Sequence, residues 1–141
     1  METRYLTTGP ISPEIILQLI KKMGENDDSG GNTIFLGQVR ADITRGKKVK
    51  AIEYSAYVEM VNAEVENIKA LVYSEFENIR SIDITHSAGL VKAGEISLLV
   101  LVSAGHRHQS INGCAKTVEL IKERLPVWKK EIFEDESHHW K

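Results

Sequence analysis

The residues of this chain best suited to chemistry are cations crowded into its last third. His106 and Arg107 follow Gly105, Lys122 comes next, and then Lys129 and Lys130 sit beside Glu131 in the run Pro126-Val127-Trp128-Lys129-Lys130-Glu131. The formal net charge is only -2, so the surplus is local, and a local surplus of fixed cations suits a pocket for an anion. Arg107 can grip a phosphate or carboxylate through two parallel hydrogen bonds, and His106 can add a hydrogen bond or move a proton. Both stand where a strand is expected to give way to a helix, a place where free backbone N–H groups and the helix dipole favour negative charge. An arginine paired with a surface carboxylate and a histidine that closes the turn are the structural alternatives.

Lys122 stands out by position. At about 100° per residue, Ile111, Cys114, Ala115, Val118 and Leu125 fall within one arc of the last helix, and Lys122 falls there too. A lysine in such a place either runs its stem outward along the apolar stripe or is partly desolvated, where its pKa drops and the amine becomes usable as acid, base or nucleophile. Lys129 and Lys130 are consecutive in an extended segment, so only one of them can face the same way as Lys122. Trp128 between them reads as a core or interface anchor. Arg40 ends a strand in which Gly37 permits close backbone approach.

Other chemistries find less support. His106 with His108, or His138 with His139, lacks an accompanying carboxylate or thiolate set, so no metal is expected. The single cysteine, Cys114, excludes an internal disulfide or a CxxC pattern and reads as a small core hydrophobe.

The elements that must position these residues follow from periodicity. Ser12-Pro13-Glu14 predicts a helix start and Gly24 its end. Residues 25–32 read as a polar loop, Thr33 to Arg40 as a strand, and Arg45-Gly46-Lys47-Lys48 as the turn of a long hairpin returning through Val49 to Tyr57. Val61, Val65, Ile68, Val72, Phe76 and Ile79 recur at helical spacing and predict an amphipathic helix from Val58 to Ile79. Ser81 to His86 and Glu95 to Ala104 read as strands joined through Gly89 and a Lys92-Ala93-Gly94 turn, the second apolar enough to be buried on both faces. A helix from His108 to Leu125 stops before Pro126. This alternation predicts an α+β fold, helices packed on a mainly antiparallel sheet.

At 141 residues with 42% hydrophobic and 27% charged, the chain fits one domain spanning 1–141. Eighteen Lys and Arg against 20 Asp and Glu argue against a surface built for nucleic acid, as does an aromatic content of 6% without a basic and aromatic stripe. The longest apolar run, Ile96 to Val102, is too short for the roughly 20 residues of a membrane span, and the opening Met1-Glu2-Thr3-Arg4-Tyr5 lacks a signal-peptide pattern. A cytoplasmic protein is expected.

The segments Phe35-Leu36-Gly37-Gln38-Val39-Arg40, Ile52 through Tyr57, His86-Ser87-Ala88-Gly89, His106-Arg107, and Lys122 through Glu131 closely resemble, in order and spacing, the large, catalytic subunit of molybdopterin synthase. The resemblance implies an α/β hammerhead with an added antiparallel sheet. It implies a sulfurtransferase of molybdenum-cofactor biosynthesis that converts cyclic pyranopterin monophosphate to molybdopterin by installing two sulfurs as a dithiolene. It also implies a small ubiquitin-like partner that carries the sulfur as a thiocarboxylate on its C-terminal Gly-Gly, and a heterotetramer around a central homodimer of large subunits. No cofactor is implied. By position, the resemblance makes Gln38, Val39, Arg40, His106, Arg107, Lys130 and Glu131 substrate contacts, and Lys122 and Lys129 both substrate contacts and catalytic residues. The family's acidic and aromatic helix start is replaced here by His108-Gln109-Ser110-Ile111-Asn112-Gly113, and a glycine inside a helix costs about 1 kcal/mol, which predicts a looser first turn. A non-catalytic scaffold that retains the anion pocket is the alternative.

Overall fold

A computed structural model describes residues 4–141; residues 1–3, the start of the segment read for a signal peptide, lie outside the described residues. In chain order the elements are β1 (Leu6–Thr8), α1 (Pro13–Met23), β2 (Gly31–Gln38), β3 (Ile43–Thr44), β4 (Lys47–Ala56), α2 (Val58–Glu75), β5 (Ile79–Lys92), β6 (Ile96–Ala104), α3 (Arg107–Arg124), β7 (Val127–Phe133) and β8 (His138–Trp140). The eight strands form one sheet in the order β2-β6-β5-β4-β7-β8, with β1 added to β5 and β3 to β4. Every pairing is antiparallel except β1 with β5. The α+β expectation holds. Among the described residues no helix is long and apolar enough to cross a membrane.

Strand β6 is the most buried, with Ser97 through Ala104 all withdrawn from solvent between β2 and β5. One face of the sheet packs against α2 and α3 through Val61, Val65, Ile68, Val72, Ile82, Ile84, Val100 and Val102. Full burial of an apolar side chain of this size is worth about 1.5–3 kcal/mol. Helix α1 covers Leu99 and Leu101 on the opposite face. A third, smaller core of Val39, Val49, Ile52, Tyr54, Val91 and Phe133 lies around β4.

Three expectations about the elements need correction. The strand beginning near Thr33 starts two residues earlier, at Gly31, and pairs with β6 instead of forming a long hairpin with β4. Only β3 folds back on β4, around a tight turn in which Arg45 and Gly46 both have positive φ. Helix α2 ends at Glu75, because Phe76 is already extended and Asn78 turns through positive φ. Phe76 and Ile79 continue the apolar spacing because they pack on the same core from outside the helix.

The third correction concerns α3, whose buried face consists of Ser110, Gly113, Cys114, Thr117, Leu120 and Ile121, while Ile111 is 55% exposed. The helix sits rotated from the stripe drawn through Ile111 and Val118 because it lies close to the sheet. A Cβ on Gly113 would stand 3.0 Å from Ile79 Cδ1, so the glycine permits a tight approach and does not loosen the first turn. The two hydroxyls on this face are satisfied, Ser110 donating to the Val102 carbonyl (3.0 Å) and Thr117 to that of Gly113 (2.7 Å).

Strand β5 runs for 14 residues and changes partners along its length. Ile79 to His86 pair with β6, whereas Gly89 to Lys92 pair with β4. Gly89, at φ +87°, supplies at the handover a backbone conformation that side-chain-bearing residues rarely adopt.

Candidate functional site

The handover along β5 opens a cavity of about 400 Å³ at the C-terminal end of α3. Its walls come from Ile121, Lys122 and Leu125 of α3 and its end, from Val127, Lys129 and Glu131 of β7, and from the chain leaving β2 through Gln38, Val39 and Arg40. Ile52 and Tyr54 of β4, His86 of β5, and Ser97 and Leu98 of β6 complete it, with Asp42 and Lys141 also lining it.

Strand register decides which cations enter. Tyr54 lies opposite Lys129 and Ile52 opposite Glu131, so Lys129 and Glu131 share the cavity face while Lys130, opposite Glu53, points the other way. The Lys130 Nζ is 2.9 Å from a Glu53 carboxylate oxygen and 5.3 Å from the centroid of the Trp140 ring. Lys130, expected as a substrate contact, is therefore not part of this cavity.

The two expected catalytic lysines both line the cavity, and of the two alternatives open for Lys122 the outward-running stem is the one observed. Lys122 is exposed on the flank of α3, whereas Lys129 is half-buried. Burial, then the charges of Lys122 and Lys141, push the Lys129 ammonium below the ordinary lysine range. The desolvated amine is Lys129, because the rotation of α3 carries Lys122 out of the apolar contact.

Arg40 stands at the mouth with its side chain 84% exposed, its Nε 2.5 Å from Asp42 Oδ1. Gln38 donates its side-chain amide to the Gly94 carbonyl at 3.0 Å. The Val39 backbone is clasped by the β5–β6 turn, its N–H donating to Glu95 (2.9 Å) and its carbonyl accepting from Gly94 (2.7 Å). These bonds fix the end of β2 against the turn and hold this wall in place. Glu131 is 5% exposed, with Lys141 Nζ at 3.9 Å from its carboxylate.

His106 and Arg107 lie elsewhere. They are exposed at the start of α3, where they line a separate, open groove with Gly30, Gly105, His108 and Gln109. Fifteen residues of helix separate Arg107 from Lys122, which at about 1.5 Å per residue is roughly 22 Å. Within one chain the expected convergence of all the cations on one pocket does not occur. Cys114 is buried in the core, where desolvation raises its thiol pKa, and it faces neither the cavity nor the groove.

Five polar residues of the cavity were not anticipated as site residues: Asp42, Lys141, His86, Tyr54 and Ser97. Tyr54 donates to Ser97 Oγ at 3.1 Å, and its ring stands edge-on to the His86 imidazole at 5.1 Å between centroids. Burial raises the Tyr54 pKa and lowers that of His86, the latter helped by the charges of Lys129 and Lys122 and opposed by a hydrogen bond to the Ser87 carbonyl. The available signal was alternation, since His86 follows Ile82 and Ile84 at a period of two and so faces the same core.

A family model described as MoaE protein matches residues 6–124. The molybdopterin synthase catalytic subunit of Dictyostelium discoideum is 39% identical over 134 residues, 93% of this chain and 84% of that protein. The X-ray crystal structure of molybdopterin synthase from Staphylococcus aureus superposes with a TM-score of 0.85 at 29% identity, covering 100% of this chain and 98% of that one. A structure described as the protein-protein complex of subunits 1 and 2 of molybdopterin-converting factor from Helicobacter pylori 26695 shares the fold, with a TM-score of 0.80 at 16% identity over 96% of this chain and 88% of that one.

Proposed function

The chain belongs to the MoaE protein family, that of the molybdopterin synthase catalytic subunit, and on this premise we propose that its cavity is the half-site where cyclic pyranopterin monophosphate receives two sulfurs as a dithiolene. The observation that carries this reading is the half-buried Lys129, its proton loosened by desolvation and by Lys122, in the wall of the cavity. Substrate phosphate and donor thiocarboxylate are both anionic. Bringing them together requires cations close by; Lys129 supplies one where charge is poorly screened, and Lys122, Arg40 and Lys141 supply exposed ones around it.

Lys129 is the amine whose protonation can change during the reaction, donating a proton as oxygen leaves or accepting one as sulfur adds. Lys122, exposed on the flank of α3, adds a second cation to the cavity lining and steers the anionic tail of the donor. The sulfur arrives on a small ubiquitin-like partner, whose terminal Gly-Gly enters extended because glycine lets a backbone pass a narrow opening without side-chain clash. Gln38 and Val39 form one rigid wall of the substrate pocket and Glu131 part of the other.

His106 and Arg107 can contact the same substrate only if a second copy of the chain presents them, which is the task of the central homodimer. Each cavity then consists of the C-terminal end of one α3 and the N-terminal end of another. Mixing the purified chain with a thiocarboxylated small partner and the cyclic pterin should yield dithiolene product, and either reagent alone should yield none. If the complete mixture gives no product while the chain still binds the pterin, the non-catalytic anion-binding reading replaces this one.

A further inference from the structure

One buried titratable group of the cavity has no part in the roles given so far. His86 is 6% exposed, yet it lies in the cavity wall. Its Nδ1 is 2.8 Å from the Ser87 backbone carbonyl, which can only accept, so Nδ1 carries the proton and Nε2 holds the free lone pair. Nε2 has no protein partner among the described residues. The Tyr54 ring packs edge-on against the imidazole and is itself tied by its hydroxyl to Ser97, so the ring is held both at one nitrogen and along one side. The charged groups around it are Lys129 and Glu131 from β7 and Lys122 from α3, with Arg40, Asp42 and Lys141 on the remaining walls and Tyr54 as the nearest neutral titratable group.

We propose that His86 is the proton-exchange partner of Lys129, its Nε2 taking the proton that the Lys129 ammonium releases and returning it after sulfur has been added. In this step an N–H bond of Lys129 breaks with its electron pair staying on Nζ, an Nε2–H bond forms, and the imidazolium keeps its Nδ1–H on the Ser87 carbonyl. The number of charges in the cavity is unchanged. Burial first, and then the charges of Lys129 and Lys122, oppose a charge on His86; release of the Lys129 proton removes one of those facing charges, so the protonation of the two residues is linked. His86 acts through Lys129 and is a positioning residue for the proton.

The inference rests on the cavity being the sulfur-transfer half-site, and the test separates the two. The full chain, labelled with ¹⁵N in its histidines, is titrated by NMR as wild type and as Lys129→Met. The wild-type protein is expected to hold His86 as the Nδ1–H tautomer, titrating below the ordinary 6.5, with the midpoint rising in Lys129→Met because a facing cation is gone. Dithiolene formation with the thiocarboxylated partner is then followed against pH for wild type and His86→Asn, whose amide can still donate to the Ser87 carbonyl. His86→Asn should lose about tenfold or more in kcat, keep KM within about twofold, and lose the acid limb that wild type shows as His86 becomes charged. Wild-type kcat in His86→Asn, or a His86 midpoint indifferent to Lys129→Met, overturns the inference. An inactive wild-type mixture would sink the half-site reading instead, and the NMR titration would still decide whether His86 and Lys129 are coupled.

Discussion

The two ends of α3 carry charge of the same sign in opposite surroundings. At the C-terminal end, Lys122 borders a cavity that contains a half-buried lysine and a buried histidine, with both pKa values displaced by desolvation. At the N-terminal end, His106, Arg107 and His108 are exposed on an open groove. A charge of the first kind interacts strongly with its neighbours and can change protonation, whereas a charge of the second kind is screened by water and salt. Under the proposed function the difference divides labour along one helix, one end reacting and the other holding an anion, and a complete site would need both.

The largest effect expected is that of Lys129→Ala, which should slow dithiolene formation by about a hundredfold or more with little change in Tm. Near-normal turnover in that variant would remove the reactive end from the comparison. Arg107→Ala should raise KM by about tenfold or more, the loss of one charge-assisted hydrogen-bonding group, and leave kcat nearly unchanged. Mixing the two variants sharpens the point: if random dimers form, about a quarter of wild-type activity should return at low substrate, because half of the dimers carry one intact site of their two. No recovery would mean that the two ends never meet.

A smaller effect is expected in stability against pH. Burial keeps folded His86 from binding a proton that the unfolded chain binds at the ordinary 6.5. Between that value and the lower folded one the unfolded state holds more protons, so stability should fall as pH is lowered through the window and level off below it. Chemical denaturation of His86→Asn should lack this component. The smallest effect belongs to Lys130→Ala, which breaks a partly exposed pair with Glu53 and should cost within about 1 kcal/mol while leaving turnover alone.

Much of this arrangement is legible in the residues themselves. The uninterrupted apolar run of β6, the Pro13 start of α1 and the stop before Pro126 identify elements because burial on both faces and a fixed φ leave little choice. The alternation Lys129, Lys130, Glu131 likewise separates cavity from surface once the segment is known to be extended. The orientation of α3 is not legible, because Ser110, Gly113 and Thr117 look polar or small in sequence and become a buried face only through contacts with the sheet. Pairing of β2 with β6 instead of β4 is a long-range choice that local spacing does not encode. The separation of Arg107 from Lys122 follows from helix length.

The histidine in the cavity wall belongs to β5, the strand shared by both halves of the sheet, and to no loop. Its surroundings should therefore open to solvent only when the molecule as a whole does. Amide hydrogen exchange in Ile84 to His86 should be as slow as global unfolding allows, while the exposed start of α3 exchanges through local fraying. A substrate would then meet a rigid mould at one end and a yielding grip at the other.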